Sequence, residues 1–140
     1  MIKQFRSGIG SWYPLCAGCI FLALGIATLI CPEVLSYYSI GLDEPSARTA
    51  MRAMVGGGEV GIAILLLFGG YIKLSFSQRC QIAAMFFVCV GLSRLFAVTI
   101  EGTDALTMQP LREAAIELTL GGLGLWAARI AELKLDVSSI

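Results

Sequence analysis

Residues 12–31 read WYPLCAGCIFLALGIATLIC. These twenty residues contain no charge, and a helix rising 1.5 Å per residue turns them into a rod of about 30 Å, the thickness of bilayer hydrocarbon. The uncharged run is wider still, from Ser7 to Pro32, and Pro32 sits where a helix is best stopped. Lys3 and Arg6 precede it, as basic residues precede a secretory leader. A leader's apolar stretch is only about 7–15 residues long, and here three more apolar blocks follow. The stretch is therefore expected to be a first membrane span.

Working outward, apolar blocks at about 50–74, 80–100 and 110–133 predict three further spans. Ser75, Ser77 and Arg79 make the turn between the second and third, and Pro110 suits the first turn of the fourth. Between the first two spans lies the longest connection. Its first half, residues 33–40, carries the pair Tyr37–Tyr38 and reads either as a short helix at the water–lipid interface or as plain loop. Gly41 and Pro45 punctuate the rest as loop. The expected fold is all-α: an integral membrane four-helix bundle, one transmembrane domain over residues 1–140, with a short interfacial helix between spans one and two.

Composition agrees. Of 140 residues 57% are hydrophobic and 14% charged, against about 25% charged in a soluble domain. Ten acids and ten bases cannot coat a sphere of this size. Zero net charge and the lack of a basic stretch exclude a nucleic-acid binder, and the lack of His removes histidine acid–base chemistry and histidine metal sites. An even number of spans puts both termini on one side. That side gathers Lys3, Arg6, Lys73, Arg79, Arg129 and Lys134, so both termini are expected in the cytoplasm.

The remaining charges carry the functional signal. Glu59, Arg94 and Glu117 each lie six or seven residues inside the outer end of a different span, about 10 Å deep. Inward of them, residues 60–72, 80–93 and 118–128 hold no charge. Arg52 with Glu59, and Arg94 with Glu101, are seven apart; Glu113 with Glu117 are four apart, so each helix carries a polar stripe. An unpaired ion in lipid is expensive. The stripes are expected to turn inward as one cluster of Arg52, Glu59, Arg94, Glu101, Glu113 and Glu117. Two readings stay open: ion pairs that set helix register, or a ligand pocket or ion pathway. Two acids on one arginine leave a charge that a proton or a cation completes.

Gly56, Gly57, Gly58 and Gly61 surround Glu59, and Gly57 with Gly61 forms GxxxG. Together with Gly121 and Gly122 these predict close helix packing, with a widened cavity beside Glu59 as the alternative. Cys16-x-x-Cys19 has redox or metal spacing, but it lies inside an apolar span without a second pair, and reads as small apolar filler. No metal site, cofactor site or catalytic group is assigned.

Arg52-Ala53-Met54, Gly56-Gly57, Glu59-x-Gly61, Gly91-x-Ser93-Arg94, Glu101-Gly102 and Glu117, in that order, resemble the bacterial membrane family catalogued as DUF4345, a domain of unknown function. That family is similar in pattern to the DoxX-like small four-helix proteins. The resemblance covers most of the chain, from Pro32-Glu33 into the fourth span. It implies four membrane helices in a bacterial inner membrane, and it supplies no activity. Redox and sulfur roles of DoxX-like proteins find no supporting residue here.

The leading functional expectation is a protein that binds or transports a small amphiphile or lipid. Its head would meet the Arg/Glu cluster, and its body would lie among residues such as Met85, Phe86, Phe87 and Phe96. The alternatives are a proton-coupled exporter working as an oligomer, with Glu59 or Glu117 as carrier, and a structural subunit of a larger membrane complex. An enzyme is the weakest reading, since no nucleophile–base pair is visible. The expected partners are membrane lipids, the amphiphile and a second copy of the chain.

Overall fold

The computed structural model describes residues 12–38, 41–101 and 108–137, which are helical apart from short connections at 31, 41–44 and 73–75, with no strand among them. Four helical stretches are long and apolar enough to cross a membrane: Tyr13–Ile30, Pro45–Ile72, Phe76–Ile100 and Met108–Leu133. They are the helices of a small membrane protein. The described residues fall into two compact units, one within Leu15–Lys73, the other within Met1–Pro14 and Leu74–Ile140.

In the first unit, α1 (Tyr13–Ile30) ends just before Pro32, which opens a 3-10 helix over Pro32–Tyr38. Of the stretch 33–40, read as short helix or plain loop, residues 33–38 are 3-10 helix and residues 39–40 lie outside the described residues; the Tyr37 and Tyr38 rings meet edge to face at 5.1 Å. The second span starts at Pro45, five residues earlier than hydropathy suggests. Glu44 stands at the N-cap of α2 (Pro45–Met51) without a side-chain cap bond, and Pro45 takes its first turn, where a missing N–H costs nothing. Proline therefore starts a helix here and does not mark loop.

The span continues through a π segment (Arg52–Gly56), α3 (Gly57–Phe68) and a 3-10 turn (Gly69–Ile72). Lys73 closes it in the left-handed conformation, φ 64°, its N–H bonded to the Gly70 carbonyl at 3.2 Å. The two spans run antiparallel at close range. A Cβ on Gly25 would lie 2.9 Å from the Gly56 carbonyl oxygen, and one on Gly56 would lie 3.2 Å from that of Gly25.

In the second unit, α4 (Phe76–Glu101) begins earlier than expected because Ser75 and Gln78 form a capping box. The Ser75 N–H donates to Gln78 Oε1 at 2.7 Å, and the Gln78 N–H donates to Ser75 Oγ at 3.1 Å. α5 (Met108–Val137) packs antiparallel to α4. Their seam is small: Cys80, Ala83, Ala84, Ala114, Ala127 and Ala128 are buried. Gly91 meets Leu118, and Gly121 meets Val88 and the Ala84 carbonyl. The Tyr13 hydroxyl donates to the Leu120 carbonyl at 2.8 Å, and its ring rests against Gly124, where no side chain intervenes.

Candidate functional site between α4 and α5

Two polar ties hold α4 to α5. At one, Arg94 stands between two carboxylates of α5. Its Nε–H donates to both oxygens of Glu117 at 3.0 Å, and its Nη1 meets Glu113 Oε2 at 2.7 Å. Glu113 and Glu117 sit one turn apart, so one guanidinium fork spans both. Gln109, a further turn out, donates to Glu113 Oε1 at 3.2 Å. The three charged side chains keep only 26%, 20% and 16% of their exposure. With both acids ionised the group carries one excess negative charge, which a proton or a cation would balance.

At the far end of the pair, Glu132 Oε1 accepts from Ser77 Oγ at 2.8 Å and from Gln81 Nε2 at 3.0 Å. Arg129 lies 3.8 Å from its other oxygen. This second tie was not anticipated from sequence. Its signal was there to read: Ser77 and Gln81 are one turn apart on α4, so their side chains share a face.

The other expected cluster members stand elsewhere. The Arg52 Nε–H donates to the Leu29 carbonyl at 3.0 Å, capping the last turn of α1. Its seven-residue spacing to Glu59 does not close two turns, because the intervening π segment puts extra residue length into the turn. No ion pair joins Arg52 to Glu59 among the described residues. Glu59 lies in the first turn of α3, and its Oε2 is closed to solvent without a hydrogen-bond partner among the described residues. Glu101 ends α4, and its side chain lies outside the described set.

Of the expected packing glycines, Gly56 and Gly121 are in tight contact. Gly61 and Gly122 have nothing within 4 Å, and Gly57 has only the Arg52 carbonyl at 3.7 Å. In the first unit Gly18 and Gly25 of α1 supply the other close approaches. A GxxxG pattern marks small residues and does not say which face a neighbour takes.

The model of the family described as domain of unknown function, DUF4345, matches residues 9–128. The chain belongs to the DUF4345 family. No curated protein and no solved structure matches it. The DUF4345 match contains Arg94, Glu113 and Glu117 whole. It stops short of Arg129 and Glu132, so the second tie reaches beyond the family domain.

Proposed function

We propose that this DUF4345 protein lies in a bacterial inner membrane with both termini in the cytoplasm. Its four spans form one bundle and one domain, and the 3-10 helix Pro32–Tyr38 lies at the interface. In this reading the protein binds or carries a small amphiphile, whose head docks at Arg94, Glu113 and Glu117. One observation supports this above the rest: within two apolar spans, a single arginine is shared by two carboxylates. Ionisable groups at membrane depth are functional by default. The excess of acid favours a cationic head, such as an ammonium group, over an anionic one.

The test uses the purified chain in nanodiscs and three single-chain amphiphiles with one tail and a cationic, zwitterionic or anionic head. The cationic one should give the largest rise in Tm, and Glu117→Gln should abolish the preference. Equal shifts for all three heads, or an unchanged preference in Glu113→Gln and Glu117→Gln, would sink the proposal.

A second reading rests on the Glu132 tie. Polar bonds at both ends of the α4–α5 pair also suit a rigid element made to fix register within a larger complex. In that case Glu117→Gln would lower Tm without touching amphiphile binding.

A further inference from the structure

We propose that Arg48 and Arg52 form a binding site for the phosphate of an anionic phospholipid, where the first and second spans reach the membrane surface. The site shares no residue with the Arg94 cluster, and it stands or falls separately.

Its level in the bilayer follows from length. Residues 53–72 are twenty in number and rise about 30 Å, so Arg52 falls at the edge of the hydrocarbon. Its bond to the Leu29 carbonyl sets it beside the last turn of α1, the end of the first span. Both spans therefore finish at the level of Arg52.

Arg48 lies one turn further out on the same face. The Arg52 backbone N–H bonds to the Arg48 carbonyl, so the helical turn between them is intact and their separation along the axis is about 6 Å. Neither arginine has a carboxylate within ion-pair distance among the described residues, whereas Arg94 and Arg129 both do. With its Nε committed to Leu29, Arg52 keeps both Nη groups for an outside acceptor. A guanidinium fork presented this way suits a phosphate, whose oxygens accept two parallel bonds.

The acids nearby do not close the site. Glu44, the N-cap of α2, is a further turn out toward water. Glu33 is bound by its own backbone N–H and by the Cys31 thiol at 3.3 Å, and both arginines act on it only through space. At the level of the two arginines only Glu33 opposes them, two cations to one acid, while Asp43 and Glu44 stand before α2 on its water side. Ile30 and Met54 turn outward at 74% and 76% exposure, next to Leu29 and Arg52, and offer acyl chains an apolar wall. A phospholipid is the one source that brings phosphate and hydrocarbon to this level together.

The test measures thermal shift and retained lipid by native mass spectrometry on the full chain in detergent. Phosphatidylglycerol, phosphatidylcholine with the same acyl chains, and free glycerol phosphate are compared. Phosphatidylglycerol should stay bound and raise Tm most. Arg48→Gln should weaken its binding about tenfold, the size of one charge-assisted contact, while melting close to the parent chain without lipid, since Arg48 gives up only a through-space attraction to the exposed Glu33. Arg48→Lys should recover part of the preference, and Glu117→Gln should leave it intact. The proposal is overturned by a full preference in Arg48→Gln, by equal shifts from the two lipids, by glycerol phosphate matching the lipid, or by loss of the preference in Glu117→Gln.

Discussion

Arg94 is the residue whose removal should be felt most. Its loss leaves Glu113 and Glu117 one turn apart with no counter-charge. Breaking a fully buried pair costs about 3–5 kcal/mol, and the residual exposure of this one brings the expectation for Arg94→Ala to about 2 kcal/mol. Thermal unfolding in detergent would show it, and adding Glu113→Gln and Glu117→Gln to the same chain should restore much of the loss. Glu33 gives a milder prediction. Its own N–H, then the Cys31 thiol, then the two arginines hold its carboxyl below the usual range. Its stabilising contribution is therefore present above the ordinary carboxylate pKa and lost as pH falls through the lowered one. In Cys31→Ala the Glu33 carboxyl carbon, followed by NMR, should titrate at higher pH than in the parent. An unmoved titration would remove the thiol from the account.

Among elements, the α1–second span pair depends on backbone contact. A methyl on Gly25 would lie 2.8 Å from Val60 Cγ2 and 2.9 Å from a backbone oxygen that cannot yield. Gly25→Ala should cost about 1–3 kcal/mol by overpacking. Gly61→Ala, with open space around it, should be neutral or slightly stabilising by helix propensity. Melting temperatures of the two variants side by side decide whether Gly25 or the GxxxG pattern carries the contact. Lys73 holds a left-handed conformation that costs a side chain about 1 kcal/mol. Lys73→Gly should raise stability by roughly that amount.

For the molecule as a whole, the outward surface argues most strongly. Tyr71 is 89% exposed, and Ile30, Met54, Phe96 and Ile116 also face out, so hydrocarbon is the solvent these helices were built for. The proposed orientation is open to a direct test, because Cys31 is exposed at the end of the first span, whereas the exposed Cys16, Cys19 and Cys89 lie within apolar spans and Cys80 is buried. A membrane-impermeant maleimide on intact cells should label the parent chain, and Cys31→Ser should lose the label. Labelling that needs lysis would place the termini outside.

The sequence by itself determined that the chain is helical, where its four long apolar helices lie to within about five residues, and which arginine and glutamates fall inside them. These follow from local quantities: a 1.5 Å rise, a 30 Å barrier and the cost of a bare charge in lipid. The end signals at Pro45 and Ser75–Gln78 were equally legible, but a hydropathy count passes over them because capping residues are polar. Which groups meet was decided only in three dimensions. Arg94 selects Glu113 along with Glu117, Arg52 caps a neighbouring helix, and Gly25 with Gly56 takes the close approach. A side chain's partner depends on rotation about the helix axis and on which face the neighbour takes. The π segment at Arg52–Gly56 shifts that rotation by an amount that 3.6-residue arithmetic does not contain.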